Sequence, residues 1–187
     1  MKIGIVIGSI RQGRKGLAIG QWVLERARAR QDADVDYELI DLMAFDVPLL
    51  TCAVVPGAAN KRYESAQVTA WSEAIDACDG FVFVTPEYNH SVPGGLKNAF
   101  DSLGSEWAHK VVAFVSYGAD GGVRAVEHWR SIVSNFHMID VRQQLPISLF
   151  FEYREDGFVP ADRRPAELNI LLDQLLAATT RFAPERV

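Results

Sequence analysis

Two loops of this 187-residue chain carry residue types that could bind a phosphate and a flat ring. The first, Gly8 to Gly16, holds a serine, three cations and three glycines, and it follows the apolar run Ile3 to Ile7. Backbone N–H groups at a helix start bind anions together with the positive end of the helix dipole. Ser9 can donate a hydrogen bond, and Arg11 can contact two phosphate oxygens at once. The loop therefore indicates a phosphate site, although a glycine turn with a solvated cationic surface explains it equally well.

The second loop begins at Pro86 and reads Pro-Glu-Tyr-Asn-His-Ser-Val-Pro-Gly-Gly-Leu-Lys-Asn-Ala. It follows a short apolar run, Phe81 to Thr85, whose β-branched and aromatic residues are typical of a buried strand. Its two prolines fix φ, and the glycines Gly94 and Gly95 allow a ligand to approach the backbone closely. A flat heterocycle fits such a rigid loop better than a solvated turn does.

Other motifs with chemical meaning do not occur in the sequence. The first loop has no Gly-Lys-Ser/Thr and no Gly-x-Gly-x-x-Gly, which excludes a P-loop and a dinucleotide fingerprint. Cys52 and Cys78 have no metal or redox spacing, and the histidines have no ligand spacing, so we expect no metal site.

Strand and helix patterns alternate along the whole chain, which predicts an α/β fold with helices on both faces of a parallel sheet. The predicted strands are residues 3–7, 37–42, 81–85, 111–117 and 139–145, the last ended by Pro146. The predicted helices are residues 15–30, 61–78, 96–103, one marked by apolar residues from Val126 to Phe136, and a last one marked by leucines from Leu168 to Leu176. We find no linker or repeat, so we expect one domain over residues 1–187.

Composition limits the classes of function. A hydrophobic content of 49%, a charged content of 23% and a net charge of −5 are typical of a globular protein that does not bind nucleic acid. No apolar run has the roughly 20 residues of a membrane helix, and we see no signal peptide. Two cysteines without a disulfide pattern favour the cytoplasm.

Two apolar segments interrupt the alternating pattern. Residues 43–60 carry leucines and valines between two prolines, and residues 148–160 carry three phenylalanines and a tyrosine. Apolar loops of this length are usually lids or interfaces rather than solvated connections.

In a doubly wound sheet of order 2-1-3-4-5, the first and third strands are neighbours at the point where ligands bind. The first loop, which contains Ser9, and the second loop, which begins at Pro86, then lie side by side at the carboxyl edge of the sheet. They are called the Ser9 loop and the Pro86 loop below. The fourth strand adds a third loop, Ser116 to Gly122, on the neighbouring side. A cationic loop beside a rigid one is the arrangement that a mononucleotide with a planar ring requires.

Gly-Ser-x-Arg after the first strand, and Pro-Glu-Tyr-Asn-x-Ser-x-Pro-Gly-x-Leu-Lys-Asn-Ala-x-Asp after the third, resemble the flavodoxin-like NAD(P)H-dependent FMN reductases. That family includes quinone, azo and chromate reductases, and the resemblance extends from Met1 to about residue 145. It implies bound FMN as cofactor. The cofactor-binding residues that it implies are Ser9, Arg11, Gly13, Lys15 and Gly16 at the phosphate, Pro86, Glu87, Tyr88 and Asn89 along the ring, and Ser116, Tyr117, Gly118 and Gly121 at the other edge.

The resemblance also implies a reaction. NADPH or NADH delivers hydride to FMN and leaves, and a quinone, azo compound, metal oxyanion or flavin then binds the same face, which is a ping-pong order. From its place in the loop, His90 could touch the substrate or be an exposed loop histidine. Hydride transfer to a flavin needs no base, so we expect a structural hydrogen-bond role for Glu87. The implied assembly is a homodimer or homotetramer in the cytoplasm, with residues 43–60 roofing the site.

Relatives often carry a second hydroxyl residue in the phosphate loop, which this chain lacks. Either Arg14 or Lys15 could supply the missing interaction by charge, and the sequence does not choose between them. Two other classes of function stay open as well. The chain could be an electron-transfer flavoprotein without its own nicotinamide site, or a non-redox module that uses the same fold to bind another ligand.

Overall fold

The predicted sheet is present in a computed structural model that describes residues 1–183. Five parallel strands lie in the order β2-β1-β3-β4-β5, which confirms the predicted flavodoxin-like topology. The strands are β1 (Lys2–Ile7), β2 (Asp36–Asp41), β3 (Gly80–Pro86), β4 (Val111–Gly118) and β5 (Ile139–Ser148). Every residue of β3 and β4 is buried, as expected for central parallel strands covered on both faces.

Helices cover both faces of this sheet. They are α1 (Gly16–Ala29), α2 (Ala66–Asp76), α3 (Gly94–Asp101), α4 (Val123–Val133) and α5 (Arg164–Phe182). One core cluster joins α1 and α5 to the sheet through residues such as Ile19 and Leu172. The second cluster joins α2, α3 and α4 to the other face, with Trp71, Phe100 and Trp129 fully buried. A two-stranded hairpin, β6 (Tyr153–Arg154) with β7 (Gly157–Phe158), precedes α5.

The prediction that Pro146 ends the fifth strand is wrong, because β5 continues to Ser148. Pro146 pairs in register with Ser116 of β4. β5 lies at an edge of the sheet, and an edge strand tolerates proline because the missing N–H is not needed on its outer side.

The predicted second helix was too long at its start. The helix begins at Ala66, where the Ser65 hydroxyl accepts a hydrogen bond from the amide of Val68 at 3.3 Å. Asn60 and Lys61 have φ values of 50° and 58°, which an α-helix cannot contain. The last predicted helix, marked by leucines from Leu168 to Leu176, is α5 and covers Arg164–Phe182. Within the described part of the chain, no helix is long and apolar enough to cross a membrane.

Candidate functional site

A cleft of about 350 Å³ opens at the carboxyl ends of β1, β3 and β4, where the three predicted loops meet. The predicted site residues that line it are Ser9, Arg11, Gly13, Lys15, Pro86, Glu87, Tyr88, Tyr117 and Gly118. Four further lining residues are Gln12, Arg14, Ala119 and Leu149. Of these four, the sequence indicates only Arg14 as a candidate for contact with the phosphate. Leu149 lies just after β5, and its place in the cleft depends on the longer strand.

Five other predicted site residues lie outside the lining. Asn89 and His90 are exposed in the turn after β3. Gly16 is buried at the start of α1. Ser116 is buried, and its hydroxyl donates to the carbonyl of Gly121 at 2.7 Å. Ser116 and Gly121 therefore stabilise the loop after β4 through this hydrogen bond. Their direct contact with a cofactor stays a prediction.

A hydrogen bond joins the two loops whose proximity the topology predicts. The Ser9 hydroxyl lies 2.8 Å from the Tyr88 hydroxyl, although 79 residues separate them in the chain. The guanidinium carbon of Arg11 stands 5.7 Å from the centre of the Tyr88 ring, in cation–π range. Tyr88 thus links the cationic loop to the rigid loop, and it holds Arg11 at the mouth of the cleft.

The start of α1 presents donors without an internal partner. Lys15 is the N-cap residue, no side chain caps the helix, and the first turn contains no acidic residue. The free amides at such a helix start and the positive end of the helix dipole together favour the binding of an anion. Arg14 is already bound to Asp41 and to the carbonyl of Ser9, whereas the Lys15 ammonium lies 4.4 Å from the centre of the Tyr153 ring.

The Tyr117 hydroxyl faces this helix start without a hydrogen-bond partner. Among the residues that the structure describes, it is the one buried side-chain oxygen or nitrogen with no partner. A Cβ added at Gly16 would lie 2.4 Å from it. Burial raises the pKa of Tyr117, so the hydroxyl keeps its proton and can donate. An unsatisfied buried hydroxyl, an uncapped helix start and nearby cations fit the phosphate of FMN.

The turn after β3 is rigid for a local reason. Tyr88 and Ser91 exchange two backbone hydrogen bonds, of 3.0 and 3.1 Å, around Asn89 and His90. Asn89 and His90 have φ values of 50° and 67°, as in a type I′ turn. The amide of Glu87 donates to the carbonyl of Tyr117, so the backbone donors of Glu87 and Tyr88 are already used. The Ser91 hydroxyl also lies 2.8 Å from Nδ1 of His128.

The apolar segment 43–60 lies beside α3 and exposes Leu49, Val54 and Val55. The side chain of Asn98 holds this segment with two hydrogen bonds. Its amide group donates to the Pro48 carbonyl at 2.8 Å, and its oxygen accepts from the Leu50 amide at 2.9 Å. Asn98 belongs to the motif after the third strand, so one motif forms the cleft wall and fastens the apolar segment.

Comparison with known proteins agrees with this geometry. Residues 1–152 match the model of the NADPH-dependent FMN reductase family. The chain belongs to this family. Over 126 residues, this member is 38% identical to an NAD(P)H-dependent FMN reductase of Nectria sp., a match that covers 66% of this chain and 63% of the relative. The chain thus spans less than two thirds of that relative's length.

A second sequence relative agrees with the family, and a solved structure agrees with the fold. The chain is 32% identical over 139 residues to a quinone reductase of Escherichia coli (strain K12), covering 71% of this chain and 69% of the relative. The flavoenzyme FerB of Paracoccus denitrificans, an NAD(P)H:(acceptor) oxidoreductase, has a similar fold, with a TM-score of 0.72 at 18% identity over 97% of this chain and 98% of FerB. The family resemblance in the two sequence motifs is therefore confirmed.

Proposed function

We propose that this family member is an FMN-dependent NAD(P)H oxidoreductase that passes hydride from a reduced nicotinamide through FMN to a small acceptor. The observation that carries the proposal is the cleft itself. It joins an uncapped, cationic helix start to a rigid turn at the carboxyl edge of β1 and β3. This edge is where doubly wound sheets bind nucleotides.

The phosphate end of the cofactor would lie in the loop after β1. Ser9 and Arg11 would contact the phosphate oxygens, and the backbone at Gly13, Lys15 and Gly16 would supply amide donors. Lys15 is a better candidate than Arg14 for the additional charge, because Arg14 is already paired with Asp41. Tyr117 would donate its unpartnered hydroxyl at the same end of the cleft.

The ring would lie along Pro86, Glu87, Tyr88 and Asn89. Because the Glu87 and Tyr88 amides are bonded within the protein, the exposed Asn89–His90 turn is the part of this loop that can present backbone donors. Ser116, Tyr117, Gly118 and Gly121 would support the opposite edge through the loop after β4. His90 would reach the substrate from the rim.

When bound, FMN supplies the hydride-transfer chemistry, and the protein supplies position and electrostatics. The rigid turn would hold the ring at contact distance from a stacked nicotinamide, and such orientation accounts for much of the acceleration in reactions of this type. NADPH or NADH would leave before the acceptor enters the same open face, which gives ping-pong kinetics. The acceptor would be a quinone, azo compound, metal oxyanion or flavin, and the quinone reductase relative supports the first of these.

We also propose a homodimer or homotetramer in the cytoplasm, in which the apolar segment 43–60 of one copy roofs the site of another. The exposed side chains of Leu49 and Val55 support this arrangement, since 78% and 71% of their surfaces are open. Sedimentation of the wild type and of Leu49→Glu would test the interface between the copies.

The single domain expected for residues 1–187 stays a prediction, which the two core clusters on one sheet support.

An absorbance spectrum of the purified protein, followed by anaerobic addition of NADPH and then NADH, tests the activity. A yellow protein that is bleached supports the proposal, and the faster donor identifies the preferred nucleotide. A yellow protein that neither donor bleaches would indicate an electron carrier. A colourless protein that takes up no FMN would overturn the proposal.

A further inference from the structure

Arg124, in the first turn of α4, makes several contacts with the side chain of Glu87. Its Nε donates to Oε1 at 2.6 Å, its backbone amide donates to Oε2 at 3.1 Å, and its Nη2 lies 2.5 Å from Oε1. The same Nη2 also donates to Asp120 at 2.9 Å. Both Glu87 oxygens are therefore engaged by one residue of the neighbouring helix.

Burial makes this pairing necessary. Only 7% of the Glu87 side chain is exposed, against 38% of the Arg124 side chain. A buried carboxylate without a partner is costly, so a fixed cation and a helix start are the environment that it needs. The N-cap of α4 is Gly122, which has no side chain to cap the helix, and the Glu87 carboxylate occupies the positive end of the helix dipole instead.

Of the two partners, Glu87 lies in the wall of the cleft. Glu87 and Gly118 both line it, and a Cβ added at Gly118 would stand 3.6 Å from the Glu87 Cβ. The Glu87 amide donates to Tyr117, another lining residue, at 3.1 Å. The net charge of Glu87 and its partner therefore lies close to whatever the cleft binds.

We infer that Arg124 is a positioning residue that cancels the Glu87 charge and so sets the balance between binding of reduced and oxidised FMN. The inference rests on the proposed function, because it needs FMN in the cleft. FMN reduced by two electrons loses a proton more readily than oxidised FMN and then carries an additional negative charge. A Glu87 carboxylate without Arg124 disfavours that charge. Removal of the carboxylate, which leaves the guanidinium with the exposed Asp120, favours it.

The test is the two-electron midpoint potential of bound FMN in four proteins: wild type, Arg124→Gln, Glu87→Gln and the double variant. Arg124→Gln should lower the potential, because the affinity for reduced FMN relative to oxidised FMN falls roughly three- to tenfold, the scale of one charge acting in a partly buried site. Glu87→Gln should raise the potential, and the double variant should return it close to the wild-type value. A merely structural role would move both single variants in the same direction.

Asp120→Asn is the matched control, because Asp120 binds the same arginine but is exposed and does not line the cleft. Its potential should equal that of the wild type. If Arg124→Gln does not retain FMN, Arg124→Lys, which keeps the charge, must hold the wild-type potential while Glu87→Gln raises it. Equal shifts of the same sign, or no shift in Glu87→Gln, would overturn the inference. Failure of the wild type to bind FMN would overturn the proposed function instead.

Discussion

The hydroxyl groups of Ser9 and Tyr88 lie 2.8 Å apart, so a single hydrogen bond closes the gap between the two loops that form the cleft. The Ser9 side chain is almost fully buried, which makes the bond worth more than one at an open surface. The same tyrosine ring carries the Arg11 guanidinium. Loss of the bond should therefore lower the free energy of unfolding by a measurable amount.

We predict that Ser9→Ala and Tyr88→Phe each lower the free energy of unfolding by about 0.5–1.5 kcal/mol, the net value of one hydrogen bond. The double variant should lose no more than the worse single variant, because both substitutions remove the same bond. Urea unfolding followed by fluorescence gives all three values. Strictly additive losses would show that the two hydroxyls do not interact.

A second prediction concerns Arg11, which stands at the mouth of the cleft. Arg11→Ala should weaken FMN affinity by about 1.5–3 kcal/mol, the scale of a charge-assisted hydrogen bond. Affinity for riboflavin, which has no phosphate, should not change. Flavin fluorescence titrations measure both, and Arg26→Ala in the last turn of α1 is the control. Equal weakening of both flavins would remove Arg11 from the phosphate site.

A third prediction follows from the contact between Gly16 and Tyr117. A Cβ at Gly16 would lie 2.4 Å from the tyrosine hydroxyl and 3.0 Å from Cζ, which requires one of the two to move. Gly16→Ala should therefore lower the free energy of unfolding by about 1–3 kcal/mol, the range for overpacking, and reduce FMN occupancy. Thermal unfolding and the flavin-to-protein absorbance ratio measure these effects.

Two variants control the Gly16 experiment. Gly94→Ala is the control for stability and should not lower it, because a Cβ at Gly94 meets no protein atom at the start of α3. Gly16→Ala combined with Tyr117→Phe should recover part of the lost stability, since the nearest atom is then absent. A Gly16→Ala protein as stable as the wild type would mean that the Tyr117 ring moves without cost.

Local patterns were sufficient to predict the architecture. The runs at 81–85 and 111–117 are apolar except for Thr85 and Ser116, as is typical of central parallel strands. The sheet order then brings the loop after β1 and the loop after β3 together. The sequence was less informative at element ends. Pro146 looks like a strand terminator until its strand is known to lie at the sheet edge, which is a property of the topology rather than of the residue.

Side-chain partners across the sheet could not be predicted in the same way. Arg14 and Lys15 are adjacent cations in the sequence, and only the position of Asp41, 27 residues from Arg14, shows which one is already paired. Arg124 lies 37 residues from Glu87 in an unremarkable helix start, and no local signal connects them. These contacts depend on how β2 and α4 pack beside the cleft.

The last prediction concerns the buried pair of Glu152 and Arg164, which joins the segment after β5 to the start of α5. Arg164 donates from Nε to Oε1 and from Nη2 to Oε2, both at 2.7 Å. The amides of Ala161 and Ser148 also donate to the carboxylate, at 3.0 and 3.2 Å. Burial alone would raise the pKa of Glu152, but these donors hold it below its ordinary value of 4.5.

A carboxyl with a lowered pKa in the folded state contributes stability that is fully present above its ordinary pKa and is lost as pH falls through the folded-state value. Glu152→Gln leaves Glu167 as the remaining carboxylate partner of buried Arg164, so it should lower the free energy of unfolding by about 1.5–3 kcal/mol at neutral pH, the scale of a hydrogen bond to a charged group. The difference from the wild type should shrink progressively below pH 4.5, as the wild-type carboxyl takes up its proton. Urea unfolding across this range tests both points, with Glu155→Gln, on the exposed side of the same segment, as the control. A difference that stays constant down to the acid limit would mean that the loss comes from packing and not from charge, because a change in packing alone does not depend on that proton.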